Sequence, residues 1–171
     1  KTFTEKDIRS IYNQVVLENG IYDAKTGEFR QNFDSKKPYY YVIHAKYLEE
    51  ASDEELDTPF FDQLLIDATG GDKESIEMII EALGMLLLPN KCKKFVVAGN
   101  ASNSGKSVIF GHLLDSLFDG TRISRVDSSK LGGRFALGNC ADKLLISCLD
   151  IDEKALSPKA VGIIKRATGE Y

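Results

Sequence analysis

The sequence predicts an α/β fold: a mostly helical α+β segment over residues 1–90, then a partial parallel sheet with flanking helices over residues 91–171. Three observations predict it. Before Pro89, apolar residues recur mainly at helical spacing, with short extended runs between them. Beyond Asn90, short apolar runs alternate with helical stretches, the order that builds a parallel sheet. Between the first of those runs and the next helix lies a loop of small residues, GNASNSGKS.

The elements follow in order. Thr4 and Asp7 open a helix, and Ile8, Ile11, Tyr12, Val15 and Val16 carry it to a stop at Asn19-Gly20. Short strands are expected at 21–24 and 28–33, joined by a turn containing Gly27. The run YYYVIHAKY after Pro38 predicts another strand. Pro59 stands at the first position of a helix that ends before Gly70-Gly71. Asp72 caps the next helix, with Ile76, Ile79, Ile80, Leu83, Leu86 and Leu87 on its apolar face, ending before Pro89. Residues 95–98 read as a buried strand. After the loop, Ile109, Phe110, Leu113, Leu114, Leu117 and Phe118 repeat as on a helix. Strands are expected at 123–126 and 144–149, and Ser157-Pro158 opens a helix that ends near Thr168-Gly169.

Composition excludes several classes. Of 171 residues, 43% are apolar and 28% charged, ordinary for a globular protein with a real core. A protein that coats duplex DNA with its whole surface would be basic. With a net charge of -4, any nucleic-acid contact here is local or comes from chain outside this sequence. Cys92, Cys140 and Cys148 form no CxxC pair, and His44 and His112 complete no metal site with them. Cys148, in an apolar run, reads as a buried thiol in a reducing compartment. No stretch reaches the roughly 18 apolar residues of a membrane span, so no membrane partner is expected. No signal peptide opens the chain, and Lys1 in place of a methionine suggests an excised piece. An intracellular location follows, the host cytoplasm if the source is a virus or phage.

The loop carries the chemistry. A phosphate-binding P-loop reads GxxxxGK[ST] between a strand and a helix. Small residues let backbone N–H groups point at phosphate oxygens, and the helix start adds its positive dipole end. Gly99, Asn100, Ala101, Ser102, Asn103, Ser104, Gly105, Lys106 and Ser107 would form the nucleotide cradle. Lys106 would neutralise β- and γ-phosphate charge, and the Ser107 hydroxyl would bind Mg²⁺. The pattern departs at one place: its first glycine falls on Asn100, with Gly99 one position earlier. Either the loop is one residue longer, or asparagine adopts the left-handed conformation.

A later apolar strand should deliver acids to the metal. KLLISCLDIDE provides Asp150, Asp152 and Glu153 at its end. Asp150 is the first choice for Mg²⁺, because residues 144–149 already fill a strand of about five to six residues. It should lie nearest the Ser107 hydroxyl, with Asp152 or Glu153 polarising the attacking water.

The chain resembles the superfamily 3 helicase part of phage, plasmid and poxvirus-type primase-helicases. The likeness rests on NGIYDAKTGEF at 19–29, TPFFDQLLIDATGGD at 58–72, the P-loop, GRFALGNCADKLLIS at 133–147 and IIKRATGE at 163–170, in that order. It covers nearly all of the chain beyond the first helix. It implies a linker-type domain over 1–90 and part of an AAA+-type ATPase over 91–171. It also implies ATP and Mg²⁺ as cofactors, a homo-oligomeric ring such as a hexamer, and translocation on single-stranded DNA at a replication fork. Lys165 and Arg166 would touch a neighbour or DNA, or form a solvated helix end. The family's DNA hairpin, sensor asparagine and arginine finger are expected beyond Tyr171. This piece alone is therefore expected not to unwind DNA and to hydrolyse ATP slowly, since arginine fingers supplied in trans raise rates by roughly 10³–10⁵-fold. A strand-displacement and ATPase assay beside a C-terminally longer chain tests this; robust unwinding by the shorter one would refute it.

Three rivals share the loop. A GTPase needs NKxD, and the one Asn-Lys pair reads NKCK and precedes the loop. A small-molecule kinase leaves the N-terminal likeness unexplained. A degenerate, non-catalytic P-loop module kept for assembly would account for Asn100.

Overall fold

A computed structural model describes residues 3–88, 104–133, 137–140, 143–148, 151 and 157–169. Among these residues the chain is mixed α/β, with a three-stranded antiparallel sheet, a two-stranded parallel sheet and helices.

Helix α1 spans Glu5–Arg9, opened by a capping box in which the Asp7 N–H donates to Thr4 Oγ1 (3.3 Å) and the Thr4 N–H to Asp7 Oδ2 (2.8 Å). The expected continuation to Val16 does not occur. The chain turns after Arg9 and forms strand β1, Gln14–Leu17, buried at every position. Val15 and Val16 are β-branched and stiff at χ1, which suits a strand. Their spacing from Ile8 and Ile11 mimics a helical face, but β1 is enclosed on both sides and buries consecutive residues.

Asn19-Gly20, expected as a helix stop, belongs to a hairpin. β2, Gly20–Asp23, pairs antiparallel with β1, Leu17 opposite Gly20, and β3, Glu28–Arg30, pairs with β2. Gly20 is required by close approach: a Cβ there would stand 2.4 Å from the Arg30 carbonyl oxygen and 2.6 Å from Phe29 Cζ. Gly20→Ala should therefore destabilise the protein by about 1–3 kcal/mol, the usual cost of overpacking. A chemical denaturation midpoint equal to wild type would contradict that close approach.

The run YYYVIHAKY is not a regular strand. It lies along the free edge of β1 through a single parallel bridge, Leu17 to Ile43. The Ile43 N–H donates to the Val16 carbonyl (2.8 Å) and the Glu18 N–H to the Ala45 carbonyl (3.0 Å). The ladder breaks because the Ala45 N–H turns back to the Ile43 carbonyl (2.7 Å). The Asn19 side chain then substitutes for backbone, exchanging two hydrogen bonds with Tyr47 (2.8 and 2.9 Å).

A single-turn helix α2, Asp53–Leu56, precedes two consecutive helices that touch each other. α3, Pro59–Thr69, starts with proline at its first position and ends on Gly70 in the left-handed conformation (φ 67°). α4, Lys73–Leu86, is capped by Asp72, whose Oδ2 accepts from the Ser75 N–H (2.9 Å). Hydrogen bonding from Ser75, its side chain foremost and then its N–H, holds the Asp72 carboxyl below its usual range. These two helices match the sequence expectation closely, because their caps and breakers are local.

After the loop, the helical stretch divides into a π-turn over Val108–His112 and α5, Leu113–Leu117. The Leu113 N–H reaches five residues back to the Val108 carbonyl. β4, Ile123–Arg125, pairs parallel with β5, Leu145–Ser147, with Ile123 opposite Leu145. α6, Pro158–Thr168, is capped by Ser157 and closed by Gly169 (φ 86°). The expected strand at 95–98 lies outside the described residues.

One buried cluster unites the chain across the boundary expected near residue 90. Val15, Val16, Leu17, Tyr41 and Ile43 pack with Leu114, Phe118 and Ile123. The His44 N–H donates to the Leu117 carbonyl (2.8 Å) across the same seam. Asp115 of α5 pairs with Arg125 of β4. Buried Tyr41 donates to the Gln14 carbonyl (2.8 Å), and burial pushes its phenol pKa well up, so it stays neutral. Cys148, expected buried, is half-exposed; Cys140, also half-buried, donates weakly to Ser124 Oγ (3.3 Å).

Candidate functional site

Four of the expected cradle residues are described: Ser104, Gly105, Lys106 and Ser107. Gly105 takes φ 77°, a left-handed bend that side-chain-bearing residues rarely adopt. Its carbonyl accepts from both the Val108 N–H (2.9 Å) and the Ile109 N–H (3.0 Å), so the helix starts directly on the glycine. Lys106 and Ser107 thus occupy the first turn, where a helix favours anions.

The half-buried Lys106 side chain folds back over the bend, its Nζ donating to Ser104 Oγ (2.8 Å). That holds the ammonium close to the Gly105 bend. Ser107 is exposed and helical (φ -68°, ψ -25°), and its hydroxyl does not cap the helix. Below, Ile109, Leu114 and Phe118 are 1%, 3% and 2% exposed and anchor the helix in the core. The π-turn reconciles these demands: Ile109 and Leu114 are five apart in sequence, yet both face inward.

Sequence inspection missed the residue that braces this bend. A Cβ on Gly105 would fall 2.8 Å from Leu64 Cδ1, so the α3 leucine presses on the glycine itself. Its signal was TPFFDQLLID, whose consecutive leucines give α3 an inward pair; Leu65 takes the deepest place at 1% exposed.

The remaining expected site residues, Gly99, Asn100, Ala101, Ser102, Asn103, Asp150, Asp152 and Glu153, lie outside the described residues, as does Cys92. The described end of β5 is Ser147, whose carbonyl accepts from the Val126 N–H (2.9 Å). Lys165 and Arg166 form the exposed last turn of α6, where cations complement the dipole. Among the described residues, no group of three or more His, Cys, Asp or Glu side chains is arranged to hold a metal ion. Within them, no helix is long and apolar enough to cross a membrane.

The chain matches no known family model, and no curated protein matches it.

Proposed function

We propose that the chain is the nucleotide-binding part of an ATP-driven DNA helicase of the superfamily 3 type, working as a ring on single-stranded DNA during replication. The observation that carries this is the left-handed bend at Gly105, which feeds Lys106 and Ser107 into a helix start with the Lys106 ammonium drawn back over the loop. A surface turn with an incidental lysine requires neither the bend nor the brace from Leu64. The parallel pairing of β4 with β5, the kind of pairing an AAA+-type ATPase sheet has, supports this reading.

The residues present suit Mg²⁺-ATP. Lys106 offsets β- and γ-phosphate charge as it leaves Ser104 for the nucleotide. The uncapped Ser107 hydroxyl has a lone pair to offer a hard cation. Helix-start N–H groups add positive potential without a counter-charge. Bound Mg²⁺ would draw charge from the phosphates during transfer. Asp150 is proposed to hold that metal's hydration shell, and Asp152 or Glu153 to orient the attacking water.

Titration of ATP with and without Mg²⁺ tests the proposal. Mg²⁺-dependent binding supports it. Failure to bind any nucleotide favours the assembly module, for which Asn100 in the consensus glycine position is the motive. Phosphorylation of a small molecule would favour the kinase.

A further inference from the structure

The N-terminal sheet carries a second polar cluster that the phosphate loop does not involve. Gln14 opens β1 and is 3% exposed. The groups around it set the orientation of its amide. With the oxygen turned toward the cations, it accepts from Arg30 Nη2 (2.7 Å) and Lys37 Nζ (3.0 Å), and the amide nitrogen donates to Tyr39 Oη (3.0 Å). The reverse orientation keeps a Tyr39 bond, the phenol donating to the amide oxygen (3.0 Å), and gains a long contact to Asp23 Oδ2 (3.5 Å), but it aims amide hydrogens at two cations. Three short bonds outweigh one short and one long.

Two positive charges therefore converge on one neutral acceptor. Among the described residues, neither Arg30 nor Lys37 has an ion-pair partner within 4.0 Å. The nearby carboxylates are engaged in their own turns. Asp23 Oδ1 accepts from the Lys25 and Thr26 N–H groups (3.0 and 3.4 Å), and Asp34 Oδ1 from the Lys36 N–H (2.9 Å). Tyr39 accepts from the amide and keeps its own proton to donate; burial, its largest influence, raises its pKa.

A guanidinium, an ammonium and a phenolic O–H converge beside Asp23 and Asp34, whose charges reach Arg30 and Tyr39 but, among the described residues, form no ion pair within 4.0 Å. The three groups are a donor set for a phosphate group. Beside them stands Phe33, 48% exposed, held edge-on by Tyr39 with ring centroids 6.2 Å apart at 80°. Cations interleaved with exposed rings are how proteins hold single strands without reading sequence. The segment RQNFDSKKPYY has that composition, in a chain of net charge -4.

We propose that Arg30, Lys37 and Tyr39, positioned by Gln14, bind a backbone phosphate of a single-stranded nucleic acid, with Phe33 as the stacking surface for a base. The site shares no residue with the Gly105–Ser107 turn, so it stands or falls independently of the ATPase proposal.

The test is fluorescence anisotropy with a labelled oligothymidylate of about 20 nucleotides across a salt series, without nucleotide or Mg²⁺. Wild type should bind weakly at low salt. Arg30→Gln/Lys37→Gln should lose about ten-fold or more, with a salt slope shallower by roughly 0.7 per cation removed. Phe33→Ala should lose about ten-fold with an unchanged slope, since stacking carries no counterion release. A charge-matched control, Lys6→Gln/Lys159→Gln, should stay within about two-fold of wild type. Should the double variant fail to fold by circular dichroism, exposed Phe33→Ala decides. Equal binding by wild type and the Arg30/Lys37 or Phe33 variants overturns the proposal. So does binding of inorganic phosphate without the oligothymidylate, which would assign a free-anion site instead.

Discussion

Lys106→Ala is expected to remove most of the Mg²⁺-ATP affinity that the proposed function requires. Its ammonium is held beside the Gly105 bend by Ser104, so little reorganisation would be needed for it to turn to a phosphate. Hydrogen bonds to charged groups contribute about 1.5–3 kcal/mol, a loss of roughly ten- to hundred-fold in affinity. Lys106 is half-buried at the surface end of the helix and lies outside the buried cluster, so the melting temperature should move little. Isothermal calorimetry reads the result. Equal affinity in wild type and variant would mean that this turn is not the nucleotide site.

Phe118→Ala has the largest expected effect on stability. Phe118 is among the largest fully buried side chains, and its cluster draws from β1, the Tyr41–Ile43 stretch, α5 and β4. Emptying that position should cost about 3–5 kcal/mol, a large fraction of the roughly 5–15 kcal/mol that holds a domain folded. Because strands from both portions share the cluster, amides of β1–β3 and of β4–β5 should lose hydrogen-exchange protection together. If the antiparallel sheet keeps wild-type protection while the parallel pair loses its own, the two portions do not share a core as described.

Punctuation was the most legible part of the sequence. Pro59 with Gly70, Asp72, and Ser157-Pro158 with Gly169 all act within a turn of where they sit, and the helices they bound stand where expected. Periodicity was less dependable where burial is two-sided. The stripe from Ile8 to Val16 looks helical, yet Val15 and Val16 are buried in an enclosed strand that no local signal distinguishes. YYYVIHAKY has strand composition, but a turn-back at Ala45 and the Asn19 side chain take its hydrogen bonds. The turn at Gly105 was legible because the P-loop pattern it falls within demands particular residues in succession. Leu64 was not, since its role is fixed by how α3 meets the loop across more than thirty intervening residues. The cluster at Gln14 was legible only as composition. Its convergence depends on β1 and β3 flanking β2 in one sheet.

The wide turn at Val108–His112 sets the rotational phase of the molecule. A regular helix advances about 100° per residue, which would lock the direction of Lys106 and Ser107 to the direction in which Leu114 and Phe118 point. The extra residue in this one turn uncouples the two angles. The lower part of the helix keeps the orientation its apolar face requires, and the upper part keeps the orientation that sets Gly105 against Leu64. A frame of this kind lets the aim of the loop drift by one residue's rotation, through a single insertion or loss, without repacking anything beneath it.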